Sequence, residues 1–148
     1  FVPDDPLQAT SDHGWNVEAN RAVLLPAIAR MRAAGIRVSL FINADPSVPA
    51  PARDVGADRV ELYTGPYGGA LVEEIAAAHL AALKAAADAA RAAGLGINAG
   101  HDLTLVNLPP LKAAIPDLAE VSIGHALTAD ALLYGYAEAV RKYIAACS

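Results

Sequence analysis

Apolar residues recur along this chain in two alternating rhythms, one of three to four residues and one of two. Within 17–34, Val23, Leu24, Ile28 and Met31 fall at helical spacing, and Pro26 predicts a kink or a late helix start. Gly35 ends that run. The stretch 36–42 (IRVSLFI) then alternates as a strand does and exits through Asn43-Ala44-Asp45-Pro46. After a proline-punctuated segment, Val55-Gly56-Ala57-Asp58 reads as a helix-to-strand turn and 59–65 as a strand. Residues 71–93 form a long alanine-rich helical pattern. Gly94 follows it, where a positive φ costs least. Ile97-Asn98-Ala99-Gly100-His101 is then a short buried strand that ends in a titratable side chain. The remainder predicts a short helix over 108–115, a strand over 119–126 and a final helix over 127–146. That last helix carries Leu132, Leu133, Tyr136, Val140 and Ile144 as an apolar stripe, with Thr128 or Asp130 as its cap.

Strict alternation of strands and helices implies a parallel sheet with right-handed crossovers. Such sheets gather their chemistry at the C-terminal ends of the strands. Every strand exit here is polar or glycine-bearing: Asn43, Thr64-Gly65, Gly100-His101 and Gly124-His125. No Gly-x-Gly-x-x-Gly follows a strand, so the pattern favours a (β/α)8 TIM-type barrel over a dinucleotide-binding sheet. At 148 residues the chain is shorter than the ~250 of a complete barrel. Phe1-Val2-Pro3 resembles a strand entered midway. The expectation is that residues 1–148 are the C-terminal part of a single barrel domain, from about the end of strand 4 through helix 8. The N-terminal part would then be absent from this sequence.

Composition narrows the partners. Hydrophobic residues make up 55% of the chain, enough to build a core. The net charge of −5 argues against nucleic acid but leaves room for a small anion held by a few amides. The single cysteine, Cys147, excludes an internal disulfide and a cysteine-based metal cluster. Nothing resembles a signal peptide or a membrane span of ~20 apolar residues, so a cytoplasmic protein is expected.

A few residues carry candidate chemistry. His101 can hold or move a proton near neutral pH, or simply cap its strand. Gly100 beside it is expected to leave room for a ligand near the backbone. Glu61 lies inside an otherwise apolar strand, where a carboxylate is costly unless paired or at work. It shares a face with Arg59 and Tyr63. The hydroxyls of Thr10 and Ser11 either cap the following helix or bind a ligand phosphate. Trp15 reads as packing, and His79 and Lys84 as the solvated face of the long helix.

Taken together and in order, Val38-Ser39-Leu40-Phe41-Ile42, Glu61-Leu62-Tyr63-Thr64-Gly65, Asn98-Ala99-Gly100-His101 and Ile123-Gly124-His125-Ala126 resemble the pyridoxine 5′-phosphate synthase family. The resemblance covers essentially the whole chain. It implies condensation of 1-deoxy-D-xylulose 5-phosphate with 3-amino-2-oxopropyl phosphate to form pyridoxine 5′-phosphate in vitamin B6 biosynthesis. It also implies a homo-oligomer, an octamer, that uses neither metal nor redox cofactor. By this resemblance His101 matches the proton-donating histidine and Glu61 the transition-state-stabilising glutamate. Thr10 matches a substrate-binding threonine, and Gly124 with His125 the pair that binds substrate phosphate. Asp102, counted with the substrate-binding residues, stands where the family commonly has glycine. Tyr63 replaces a usual histidine, and Asn43-Ala44 a usual acidic strand exit. A further catalytic histidine and glutamate would lie on early strands outside this sequence. The alternatives are another phosphate-binding barrel enzyme, an isomerase or aldolase using Glu61 and His101, and a non-catalytic barrel fragment. The strands hold no lysine, which disfavours a Schiff-base aldolase.

Overall fold

The computed structural model describes residues 1–148. Eleven elements follow one another: α1 (Arg21–Ala33), β1 (Ser39–Ile42), α2 (Pro49–Asp54), β2 (Arg59–Tyr63), α3 (Gly65–Gly68), α4 (Glu73–Ala92), β3 (Gly96–Gly100), α5 (Leu108–Ala114), β4 (Glu120–Ser122), α6 (His125–Tyr134) and α7 (Tyr136–Ala146). The four strands make one parallel sheet in the order β1-β2-β3-β4. Phe1 lies along the outer edge of β1. Its nitrogen donates to Ser39 O at 2.7 Å, and Phe41 N donates to Phe1 O at 3.0 Å, the staggered pattern of a parallel pair.

One face of the sheet holds the core. Leu40, Ile42, Val60, Leu62, Ile97 and Ala99 are buried there against Leu24 and Ile28 of α1 and Leu83, Ala86, Ala87 and Ala90 of α4. Each buried valine, leucine or isoleucine side chain contributes about 1.5–3 kcal/mol. The alanines of α4 supply little volume but let the helix axis approach the strands closely. The opposite face carries Ser39 and Phe41, Arg59, Glu61 and Tyr63, Gly96, Asn98 and Gly100, and Glu120 and Ser122. Strand register aligns Phe41 with Glu61, Glu61 with Asn98, and Asn98 with Glu120. The alternating burial of β2, with Val60 and Leu62 buried and its other residues half-buried, follows from that division.

Several boundaries differ from the sequence reading. Helix α1 begins at Arg21 rather than at 17 and runs through Pro26. Pro26 and Ala22 are both exposed, so the carbonyl that the proline leaves unpaired faces water. Thr10 and Ser11 do not cap that helix, which starts ten residues beyond them. Ser11 Oγ instead donates to Asp4 Oδ2 at 2.5 Å. The final helix is two helices, because Gly135 takes φ +81°, a conformation L side chains rarely adopt. Strand β4 stops at Ser122, and Gly124-His125 opens α6 instead of closing the strand. Neither Thr128 nor Asp130 caps α6. Thr128 Oγ1 donates back to Gly124 O at 3.0 Å, while Asp130 accepts the Tyr143 hydroxyl at 2.8 Å and so ties α7 to α6. Burial first, and then Asp130, push the Tyr143 phenol up to about 12. Leu132, Leu133, Tyr136 and Ile144 are exposed, so the apolar stripe has no cover within the chain.

Candidate active site

Three of the four strand exits converge, while Asn43 at the exit of β1 turns away to accept from Gly14 N. A cavity of about 880 Å³ opens at the C-terminal ends of β2, β3 and β4, lined among others by Thr10, Tyr63, His101, Asp102, Gly124 and His125. Five of the six residues singled out from the sequence therefore face one space. The sixth, Glu61, is not on its wall. It lies on the same sheet face, one register step further in, and its carboxylate rests over Gly100. A methyl group at position 100 would collide with Glu61 Oε1 and sit 3.1 Å from Ser122 Cβ. The room at Gly100 is thus taken by Glu61, which corrects the expectation that a ligand uses it. Glu61 does not pair with an arginine either, since Arg59 turns to other partners.

The turn after β3 is the most constrained backbone of the site. His101 and Asp102 both have positive φ, +87° and +55°, and are the only non-glycine residues that do. Such conformations persist where neighbours over-determine them. Thr64, fully buried, shares its hydroxyl hydrogen between Gly100 O at 2.6 Å and His101 O at 2.5 Å, and its amide donates to Gly100 O at 2.9 Å. Asn107 Nδ2 donates to Asp102 O at 2.9 Å, while Asn107 Oδ1 accepts from Thr104 N at 2.7 Å. The backbone of Gly68 presses against Asp102 closely enough that a Cβ there would collide with it. Aspartate adopts left-handed backbone more readily than most residues, so Asp102 serves the turn where glycine is the commoner choice. Thr64→Val is expected to destabilise the full-length protein by roughly 1–3 kcal/mol, because it strips the buried carbonyls of a donor. An unchanged melting temperature would show that the turn does not depend on this clamp.

The His101 ring packs against Phe41 and Tyr63, with centroids 5.2 and 5.4 Å away. Phe41 and Tyr63 complete the trio at 5.4 Å. Tyr63, which stands where the resemblance leads one to expect a histidine, is part of the cavity wall. Burial, followed by the negative charges of Asp102 and Asp12, pushes its phenol up, so it remains a proton-bearing donor. Asp12 is held below the usual carboxylate range, chiefly by its hydrogen bond with His13 Nδ1 at 2.5 Å. No lysine or arginine lines the cavity. An anion there would be met by main-chain N–H groups and histidines, and the first turn of α6 presents such amides. Gly124 precedes that turn at φ −112°, and a Cβ on it would touch nothing within 4 Å. No protein atom demands glycine at that position. No group of three or more His, Cys, Asp or Glu side chains is placed to hold a metal ion.

The chain is thus a parallel α/β sheet with a histidine and the start of a helix at one cavity and a carboxylate just beneath it. Comparison with known proteins assigns the lineage. The family model described as pyridoxal phosphate biosynthesis protein PdxJ matches residues 1–148, and the chain belongs to that family. A curated pyridoxine 5′-phosphate synthase from Allorhizobium ampelinum is 59% identical over 150 residues, covering 99% of this chain and 60% of the relative. Those of Mesorhizobium japonicum and Brucella anthropi are 59% and 58% identical, each with the same coverage of both chains. The chain thus spans about 60% of the length of these relatives. A chain in the crystal structure of the Amycolatopsis orientalis BexX/CysO complex superposes with a TM-score of 0.57 at 15% identity, over 85% of this chain and 49% of that one. That likeness bears on the fold alone.

Proposed function

We propose that the full-length polypeptide carrying this chain is a pyridoxine 5′-phosphate synthase that joins 1-deoxy-D-xylulose 5-phosphate to 3-amino-2-oxopropyl phosphate. The observation that carries this reading is the convergence of Thr10, His101, Asp102, Gly124 and His125 on one cavity, in a chain 59% identical to proteins of that name. Ring closure by condensation and dehydration requires proton donors and acceptors around carbonyl carbons. In this reading His101 delivers a proton, and Glu61 stabilises positive charge that develops at the reacting centre. Gly124 and His125 hold a substrate phosphate through amides of the α6 start, with Thr10 and Asp102 contributing from the facing loops. The test is direct. The full-length protein incubated with the two phosphorylated substrates should release pyridoxine 5′-phosphate, and absence of product would refute the assignment.

The same proposal includes closure of the sheet into a (β/α)8 barrel and assembly of copies into an oligomer. Support for closure comes from the β4 side, where Val121, Ile123 and Leu127 with Val140, Ile144 and Cys147 line an apolar groove of about 280 Å³. With α1 and α4 covering the apolar face of the sheet, closure would turn its other face, with Glu61, Asn98 and Glu120, to the barrel interior. Phosphate binding has its own test. Gly124→Val in the full-length protein should raise KM for the phosphorylated substrate about tenfold, the worth of one hydrogen bond to a charged group. Because nothing in the protein crowds that position, its melting temperature should hold. An unchanged KM would remove the backbone-contact argument.

A further inference from the structure

The polar face of the sheet carries one arginine between two carboxylates, and the arginine serves only one of them. Arg59 and Glu61 stand two residues apart on β2, on the same face and about 6.6 Å apart along the strand. That is within the reach of an arginine side chain. Arg59 nevertheless crosses to β3 and β4. Its Nη1 donates to Asn98 Oδ1 and to Glu120 Oε2, each at 3.0 Å. Arg37 Nη2 approaches the same glutamate oxygen at 3.7 Å. The lane that Arg59 follows is kept clear by Gly96, where a Cβ would sit 2.8 Å from Arg59 Cγ and 3.2 Å from its Cδ and Nε. Arg59 is mostly buried along this path, with its side chain 22% exposed.

We infer that Gly96, Asn98 and Glu120 are positioning residues that draw Arg59 away from Glu61 and keep that carboxylate unpaired for the substrate. An arginine seated on Glu61 would make a charge-assisted pair, occupy its lone pairs and neutralise the charge that a positive reacting centre needs. Three features on two other strands prevent this: a missing side chain, an amide acceptor and a competing carboxylate. The inference rests on the reading that Glu61 acts in the reaction.

The experiment uses the full-length polypeptide. Glu120→Ala removes the stronger competitor and leaves the apolar core untouched, because that core lies on the opposite face of the sheet. Its crystal structure should show the Arg59 guanidinium within hydrogen-bond distance of Glu61. Its kcat should fall about tenfold or more, with KM little changed. Adding Arg59→Met to that variant should restore most of the lost turnover, because nothing is left to capture Glu61. Gly96→Ala reaches the same end by crowding Arg59 off its lane with Glu120 intact, and it carries the test should Glu120→Ala fail to fold. Arg59 remaining on Asn98, or a double variant no more active than Glu120→Ala, would overturn the inference. Arg59 moving onto Glu61 without loss of turnover would uphold the diversion and instead overturn the assignment of Glu61 to the reaction.

Discussion

His101→Asn in the full-length polypeptide is expected to lower turnover by about 10²–10⁴-fold, the range for losing a positioned acid or base. Folding should survive. The residue sits at φ +87°, and asparagine is among the side chains that tolerate positive φ best. Thr64 holds the His101 carbonyl, not its ring, so the clamp on the turn is kept. What is lost besides the proton is ring contact with Phe41 and Tyr63, worth about 0.5–1.5 kcal/mol. A proton donor and a packing residue therefore give opposite signatures. The first loses turnover with a melting temperature lowered by a few degrees at most. A variant with near-normal turnover and a clearly lower melting temperature would leave His101 as packing alone.

Gly14→Ala is expected to cost roughly 3 kcal/mol or more, at or above the upper end of overpacking penalties. An added methyl would fall on backbone atoms of Ile42 and Asn43, at the exit of β1, not on a flexible side chain. Backbone can yield only by breaking the bonds that pin the loop: Gly14 N to Asn43 Oδ1 at 2.9 Å and Trp15 N to Phe41 O at 2.8 Å. The same loop carries Thr10, Ser11 and Asp12 into the cavity wall. Weaker substrate binding should therefore accompany the loss of stability. Gly124→Ala is the control, since its methyl meets open space. Denaturant unfolding of the two variants measures the contrast. Equal stability would mean that the loop does not depend on the close approach at Gly14.

The order of strands and helices was legible because one face of each strand is apolar and each exit is polar. Strict alternation along the strand by itself puts Glu61, Arg59 and Tyr63 on one face. Contacts across strands were not legible. Nothing in Asn98-Ala99-Gly100-His101 says that the carboxylate filling the space over Gly100 comes from position 61, because strand register is set by the whole sheet. Thr64 reads as a polar strand exit, but its partners lie 36 and 37 residues away. The break between α6 and α7 was available in principle from Gly135, an isolated glycine within a helical pattern. Apolar residues continue on both sides of it, and their period hides the break. Periodicity also shows that Leu132, Leu133 and Ile144 are apolar without showing what covers them, and within this chain nothing does. Helix α3, four residues long, is too short to carry a period.

In the proposed reaction the space at the ends of β2, β3 and β4 holds a phosphorylated substrate between His101 and the start of α6, with Glu61 just beneath. A crystal structure of the full-length protein soaked with 1-deoxy-D-xylulose 5-phosphate tests it most directly. The phosphate is expected on main-chain amides at Gly124-His125, with the carbonyl end of the sugar directed toward His101 and Glu61. A ligand bound at the opposite end of the sheet, or held away from His101 and the start of α6, would contradict it.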